Sequence, residues 1–373
     1  MNDINIKAKY KSNSNNLDRN YYIDNLKFCL IVLVVVGHFA IKLTSFGPVK
    51  SLQYFIYLFH MPCFIFVSGY LAKGINAGGK LRADKILVTV WLYFIFKAVN
   101  SLIEYAFTGK LDFNILKDTS APWYLVTLTI WYISVPLIER IKAVYLLPAS
   151  IFTGLMVGYC NHIHNVLSLS RVFVFFPFFI MGFCLSEDKL NSFLNKRIRF
   201  IAIIYLTALF IFFLIYRKEI NPVSDIIYAT SPYSDSLENL APYGFLIRFI
   251  WYILAFMTSA AFMLLVPRRP MFFTSLGSRT LQVYMSHIWC RNILVYLGFF
   301  EFIKGSSLPI AALALLGSIG LTFILSNSLF YKMFDLISAR RLIKKCLSKP
   351  LVCFIHNITV KASTGPNAFK AGA

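Results

Sequence analysis

The chain has 373 residues, of which 58% are hydrophobic, 17% aromatic and 14% charged, with a formal net charge of +21. A soluble domain carries about 25% charged residues, so this chain lacks the polar surface to cover itself in water. The basic excess would suit nucleic acid in a soluble protein, but here it sits in short stretches between apolar runs, which argues for membrane topology and against a nucleic-acid partner.

Residues 1–27 are polar and rich in Lys and Asn. The apolar run that follows lacks a small-residue cleavage signature and reads as a retained span, not a signal peptide. Apolar stretches recur near 28–46, 53–72, 86–107, 122–139, 143–160, 167–185, 199–216, 244–266, 281–300 and 308–330, of the order needed to cross a bilayer core about 30 Å thick. They are continuous rather than alternating, so helices are expected and not an outer-membrane barrel. The expected fold is all-α: a polytopic integral membrane protein of about ten transmembrane helices. Residues 1–27 form a cytoplasmic segment, 28–330 the transmembrane domain and 331–373 a cytoplasmic tail.

An even number of spans puts both termini on one side, and the positive-inside rule chooses that side. With the N-terminus inside, 26 Lys and Arg face the cytoplasm and eight face outward, with Lys97, Arg248 and Arg291 inside spans. The one long outer loop, near 217–243, carries Asp225, Asp235 and Glu238 among prolines. The sequon at Asn357 falls on the inner side and is discounted. The seven cysteines (Cys29, Cys63, Cys160, Cys184, Cys290, Cys346 and Cys353) form no C-x-x-C pair and read as small buried hydrophobes.

Polar groups inside a membrane are costly and mark sites. His38 lies eleven residues past Lys27, about 16 Å along a helix, near the middle of the first expected span. Its readings are a satisfied interior group or a general base, since imidazole titrates near neutrality. His60, in the outer half of the second span beside Pro62, is a helix-end polar group or a contact to an outside substrate. Ser68-Gly69-Tyr70 ends that span with small residues that permit close approach of a helix or ligand. Arg82 and Lys85 open the third span, where topology alone explains them and binding of an anionic ligand's phosphates is the functional reading. Tyr284, His287 and Arg291 recur at i, i+3 and i+7 and share one helix face, as a lined cavity or a packed polar seam would. His162 and His164 form an H-x-H pair without a third ligand and read as solvated, so no metal is expected.

These residues resemble a known pattern. Asp24-Asn25-Leu26-Lys27, then ten residues, then His38, resembles the opening of the acyltransferase family 3 membrane proteins. The run from Phe59-His60-Met61-Pro62 to Ser68-Gly69-Tyr70 is similar to the second-helix segment of the fucose 4-O-acetylase-like branch. Pro122-Trp123-Tyr124-Leu125 and the stretch from Leu276 to His287 resemble two later elements, in family order. Lys27 stands where Arg is common in that family, and Lys85 where a second Arg is often found.

The resemblance implies transfer of an acyl group, usually acetyl, from cytoplasmic acyl-CoA to a hydroxyl of a glycan or lipid-linked sugar. A bacterial plasma membrane is the expected setting, since no organelle signal is visible in the sequence. In this reading His38 is the base and Lys27 or Tyr284 stabilises the oxyanion, with His287 beside them. Lys27, Ser68, Tyr70, Arg82 and Lys85 hold acetyl-CoA, the only co-substrate, with no metal. His60, Trp123, Tyr124, Arg171, Arg248 and Arg291 contact the acceptor. Direct transfer and a transiently acylated His38 remain alternatives. So do, as other classes, a glycan transporter or flippase and a non-catalytic receptor, although no inverted repeat supports a transporter.

Overall fold

A computed structural model describes residues 21–114, 122–161, 167–194, 198–340 and 342–343. His162, His164, the Asn357 sequon, Cys346, Cys353 and most of both terminal segments lie outside these residues. The described chain is helical and contains no strand. The helices are α1 (Tyr21–Ala40), α2 (Gly47–Ala72), α3 (Ala83–Thr108), α4 (Trp123–Ile138), α5 (Ala143–Met156), α6 (Leu169–Cys184), α7 (Glu187–Phe193) and α8 (Arg199–Ile215). They continue as α9 (Arg217–Ile220), α10 (Tyr233–Leu237), α11 (Gly244–Leu265), α12 (Thr280–Tyr296), α13 (Phe299–Lys304), α14 (Leu308–Leu325) and α15 (Ser328–Ile337).

Five helices are long and apolar enough to cross a membrane: α1, α2, α3, the continuous Tyr233–Leu265 segment and α14. The count rises to seven if two bent pairs each form one span, α6 with α7 (101°) and α8 with the segment Arg217–Tyr228 (82°). Length and composition therefore support an integral membrane protein of five to seven such spans, where the sequence reading expected ten. The shortfall has physical causes. At 1.5 Å per residue α4 and α5 reach only about 24 and 21 Å, less than the bilayer core. Helix α12 is diluted by Gln282, His287, Arg291 and Asn292.

The boundaries of the first two spans also shift. Helix α1 starts and ends earlier than expected, so His38 occupies its last turn. Helix α2 starts six residues early, at Gly47-Pro48, where proline's fixed φ suits a helix's first turn. His60 is thereby at the middle of α2 and not in its outer half. Proline62 is accommodated within the same helix.

Helix α2 is the centre of the bundle, packing on α1, α6, α8 and α11. Its crossing with α6 is the tightest. A Cβ on Gly69 would lie 2.0 Å from the Phe179 carbonyl oxygen, and one on Gly182 would lie 1.9 Å from that of Phe66. Each helix thus presents a glycine to the other's backbone, as close membrane-helix packing requires.

Cross-links gather the basic loops at one end. Asn25 donates to the carbonyls of Pro267 and Arg269, Arg199 to Leu265 and Arg279 to Ser326. Lys73 donates to the Leu185 carbonyl, and Asn76 to Glu139. We call this the Lys27 end. The opposite end is knit by Lys50 and Tyr54 bonding Asn221, and by Tyr159 donating to Pro242.

Candidate functional site

Two cavities of similar size enter the bundle. One, about 510 Å³, opens at the Lys27 end and is lined by Lys27, Arg82, Lys85 and Arg340, with Ser68, Tyr124, Tyr132 and Tyr284 among its inner walls. The other, about 530 Å³, is lined by His38, Lys42, Tyr57, His60, Trp123, Arg171, Tyr228, Arg291 and Asn292, again with Tyr284. Tyr284 is thus a wall of both.

In the basic cavity two of the cations, Lys27 and Arg82, already hold carboxylates. Lys27 Nζ lies 2.9 Å from Asp24, one turn earlier on α1. Arg82 donates from Nε and Nη2 to the two oxygens of Asp84, both at 2.8 Å. That hydrogen bond, with the charge of Asp84, raises the Arg82 pKa above its ordinary value. Deeper in, Ser68 donates to the Phe64 carbonyl at 2.8 Å and accepts from Tyr124 at 2.7 Å. The Tyr124 ring in turn meets Tyr284 edge-on, centroids 5.4 Å apart.

The second cavity is histidine-rich and aromatic. His38 ends α1, yet it is not at the bundle's edge. A Cβ on its neighbour Gly37 would touch the Tyr57 ring at 3.0 Å. Tyr57 is ten residues into the antiparallel α2, about 15 Å from that helix's start. The His38 Nδ1 faces the Arg291 Nη1 at 3.4 Å and the Tyr57 hydroxyl at 3.5 Å. A guanidinium can only donate, so Nδ1 carries the lone pair and Nε2 the hydrogen.

The other two histidines are held in the opposite tautomer. The Nδ1 of His287 lies 2.8 Å from the Val283 carbonyl, and that of His60 lies 2.7 Å from the Ile56 carbonyl. A carbonyl can only accept, which leaves each Nε2 with a lone pair. The His287 Nε2 is buried with no hydrogen-bond partner among the described residues. Its ring sits 5.2 Å from that of His38. An unpaired buried acceptor is costly and marks a place where a donor arrives.

Arg291 is braced by the Asn292 side chain at 2.7 and 3.2 Å, and Asn292 donates to Asn100 on α3 at 3.2 Å. Arg171 donates to the Tyr228 carbonyl at 3.0 Å and lies over the Trp123 ring at 4.8 Å. Gln53 bonds the Tyr228 hydroxyl. Lys42, in the loop after α1, has its pKa lowered by burial and then by Arg291 and Lys304, with Glu301 acting the other way.

Most of the expected site residues meet here, but not all. Lys27, Ser68, Arg82 and Lys85 share the basic cavity with Tyr124, which was expected at the acceptor. His38, His60, Trp123, Arg171 and Arg291 share the other. His287 packs behind it. Tyr70 lies off both cavities, beneath the Lys73 ammonium at 4.4 Å. Arg248 is also off both: it is 1% exposed, stacks on Tyr233 at 4.6 Å and donates to the Gly154 carbonyl at 3.3 Å. Its place is structural, in the packing of α11 against α5 and α10. Trp251 packs edge-on against Phe175 one layer behind the cavity wall. Sequence reasoning missed Tyr57, Tyr228, Lys42 and Asn292. Tyr57 stands three residues before His60 and Asn292 directly follows Arg291, so helical spacing alone pointed to both.

No curated protein and no solved structure matches the chain. The family model described as an acyltransferase domain, that of acyltransferase family 3, matches residues 20–327. That stretch holds every lining residue named above except Arg340 and carries several helices apolar enough to span a bilayer. The chain therefore belongs to acyltransferase family 3 and is a membrane acyltransferase.

Proposed function

We propose that the transferred group is a short acyl, acetyl in the simplest case, and that it passes from acyl-CoA in the basic cavity to a sugar hydroxyl in the histidine cavity. The acceptor is a glycan or lipid-linked sugar, in keeping with the fucose 4-O-acetylase-like resemblance. The observation that carries this reading is Tyr284, the wall common to a cationic pocket and a pocket rich in histidine and aromatic rings.

The residues present fit both substrates. Lys27, Arg82, Lys85 and Arg340 suit the phosphates of the donor, which take over the cations that Asp24 and Asp84 hold in its absence. Trp123, Tyr57 and Tyr228 suit a sugar ring. With the Lys27 end in the cytoplasm, as the positive-inside rule directs, donor and acceptor approach from opposite faces of a bacterial inner membrane.

His38 is the base. Its Nδ1 lone pair faces the acceptor cavity, and the long Tyr57 contact yields to an incoming hydroxyl. His38 takes the hydroxyl proton on Nδ1 as the oxygen bonds the acyl carbon. The carbon–sulfur bond then breaks, and the electron pair leaves with the CoA sulfur. The His38 Nε2–H is left to donate to the unpartnered Nε2 of His287, which orients the ring and stabilises it once charged, the general logic of a base held by a third group. Tyr284, the wall shared by the two cavities, donates to the developing oxyanion in this reading.

The test is release of free CoA from acetyl-CoA by membranes bearing the wild type or His38→Ala, with a crude glycan extract as acceptor. Release that depends on the extract and falls about 10²- to 10⁴-fold in the variant supports the reading, provided the variant inserts and elutes as the wild type does. Equal release from both removes His38 from the mechanism. No release with any acyl-CoA removes the donor assignment.

A further inference from the structure

A third pocket, of about 420 Å³, lies at the Lys27 end, away from both substrate cavities. It is lined by Arg199, Arg268 and Arg269 together with Leu194, Leu264, Val266, Pro267 and Met271. Three arginines thus line one concavity, and no carboxylate is among its described lining residues. Positive-inside topology explains arginines in these loops, but it does not explain their convergence on a shared apolar floor.

The pocket is also built rather than loose. Arg199 Nη2 holds the Leu265 carbonyl at 2.7 Å, and Arg268 Nη2 holds Asn191 at 2.8 Å. From the other side, Asn25 of α1 clamps the carbonyls of Pro267 and Arg269, both at 2.9 Å. Thr274 donates to Asn25 Oδ1 and accepts from the Met271 amide, which fixes the loop's far end. The Arg269 side chain is exposed and makes no hydrogen bond or ion pair among the described residues. Beside the arginines, large apolar side chains face outward: Phe200 is 69%, Ile201 64% and Phe272 81% exposed.

We propose that this pocket binds the phosphate headgroup of an anionic phospholipid, with its acyl chains lying along Phe200, Ile201 and Phe272. Cations converging over an apolar floor at the end of a helix bundle match an amphiphile better than a free anion. The exposed aromatic and aliphatic flank supplies what inorganic phosphate would have no use for. Because Asn25 ties the pocket's loop to α1, the bound lipid also braces the helix that carries Lys27 and His38.

Native mass spectrometry of the full chain, purified in a neutral detergent with phosphatidylglycerol and phosphatidylcholine in equal amounts, tests this. One phosphatidylglycerol is expected to stay bound preferentially, and millimolar inorganic phosphate is expected not to displace it. Arg269→Gln, at an exposed side chain without a hydrogen bond among the described residues, should weaken retention about fivefold, while Arg269→Lys should keep most of it. Equal retention of the two lipids would overturn the proposal. So would unchanged retention in Arg269→Gln, displacement by inorganic phosphate, or stoichiometric displacement by CoA, the last of which would make the pocket part of the donor site. None of these readouts depends on acyl transfer, so the lipid site and the proposed chemistry fail separately.

Discussion

The two cavities that meet at Tyr284 are alike in volume and opposite in electrostatic state. In the basic cavity two of the cations are answered: Lys27 pairs with Asp24, and Arg82 with Asp84 through both its oxygens. In the histidine cavity no carboxylate lines the wall among the described residues. Arg291 leans on the neutral groups of Asn292 and His38, and the His287 Nε2 has no hydrogen-bond partner among the described residues. The first arrangement suits exchange, because an arriving phosphate replaces a carboxylate at little net cost. The second suits chemistry, because hydrogen-bonding capacity is held ready for a group that appears only when substrate is present. The difference separates affinity from turnover, and it predicts which substitutions move which constant.

The largest effect inside this comparison belongs to Tyr284. Tyr284→Phe keeps the ring that separates the cavities and removes the hydroxyl. It should lower kcat by about 10²- to 10³-fold with substrate KM values little changed, read by CoA release at saturating donor. An unchanged kcat would reduce Tyr284 to a partition. Next is His287. His287→Leu should lower kcat by about 10- to 100-fold, the worth of one hydrogen bond to a charged partner. His287→Gln, which retains an acceptor, should recover part of it. Equal loss in both would make His287 a packing residue.

On the basic side the effects should be smaller and of another kind. Arg82 is nearly half exposed, and exposed pairs are worth up to about 1 kcal/mol. Arg82→Gln should therefore raise the KM for acyl-CoA by up to about fivefold and leave kcat in place. A drop in kcat would break the division between the cavities. The smallest catalytic effect is expected for Arg248→Met. That residue touches neither cavity, so acceptor KM should hold even as the protein loses thermal stability, measured by dye-monitored melting in detergent.

Much of this was legible in the sequence because membrane helices report depth and face directly. The interval from Lys27 to His38 fixed both residues on one helix, one at a cavity mouth and one well inside. The i, i+3, i+7 spacing of Tyr284, His287 and Arg291 put three polar groups on one side of α12, and all three turn toward His38 or the shared wall. What the sequence withheld was contact between distant segments. Arg248 has the same signature as Arg171, a lone cation in an apolar run, yet Tyr233 and Gly154 take it up in packing. Tyr228 reaches the site from the end of the 3-10 helix Asn221–Tyr228, outside the apolar spans from which the site was read. Span length was misread for another reason: α4 and α5 stop at 16 and 14 residues, and α12 carries Gln282, His287, Arg291 and Asn292, features that a run's average apolarity conceals.

The reciprocal glycines at the α2–α6 crossing bear on how the enzyme can move. Backbones that touch at Gly69 and Gly182 cannot slide past one another without collision, so the two helices travel as a single stiff unit. That unit carries Tyr57, His60, Met61, Arg171 and Phe175 on one cavity and Ser68 on the other. Helix α3 is different: its apolar window is 33% buried against 72% for α2, and Thr89 and Asn100 meet their partners Thr129 and Asn292 only through side-chain bonds. If the bundle opens to admit and release substrates, α3 is the side expected to yield, while the stiff pair keeps the groups of the two cavities in register.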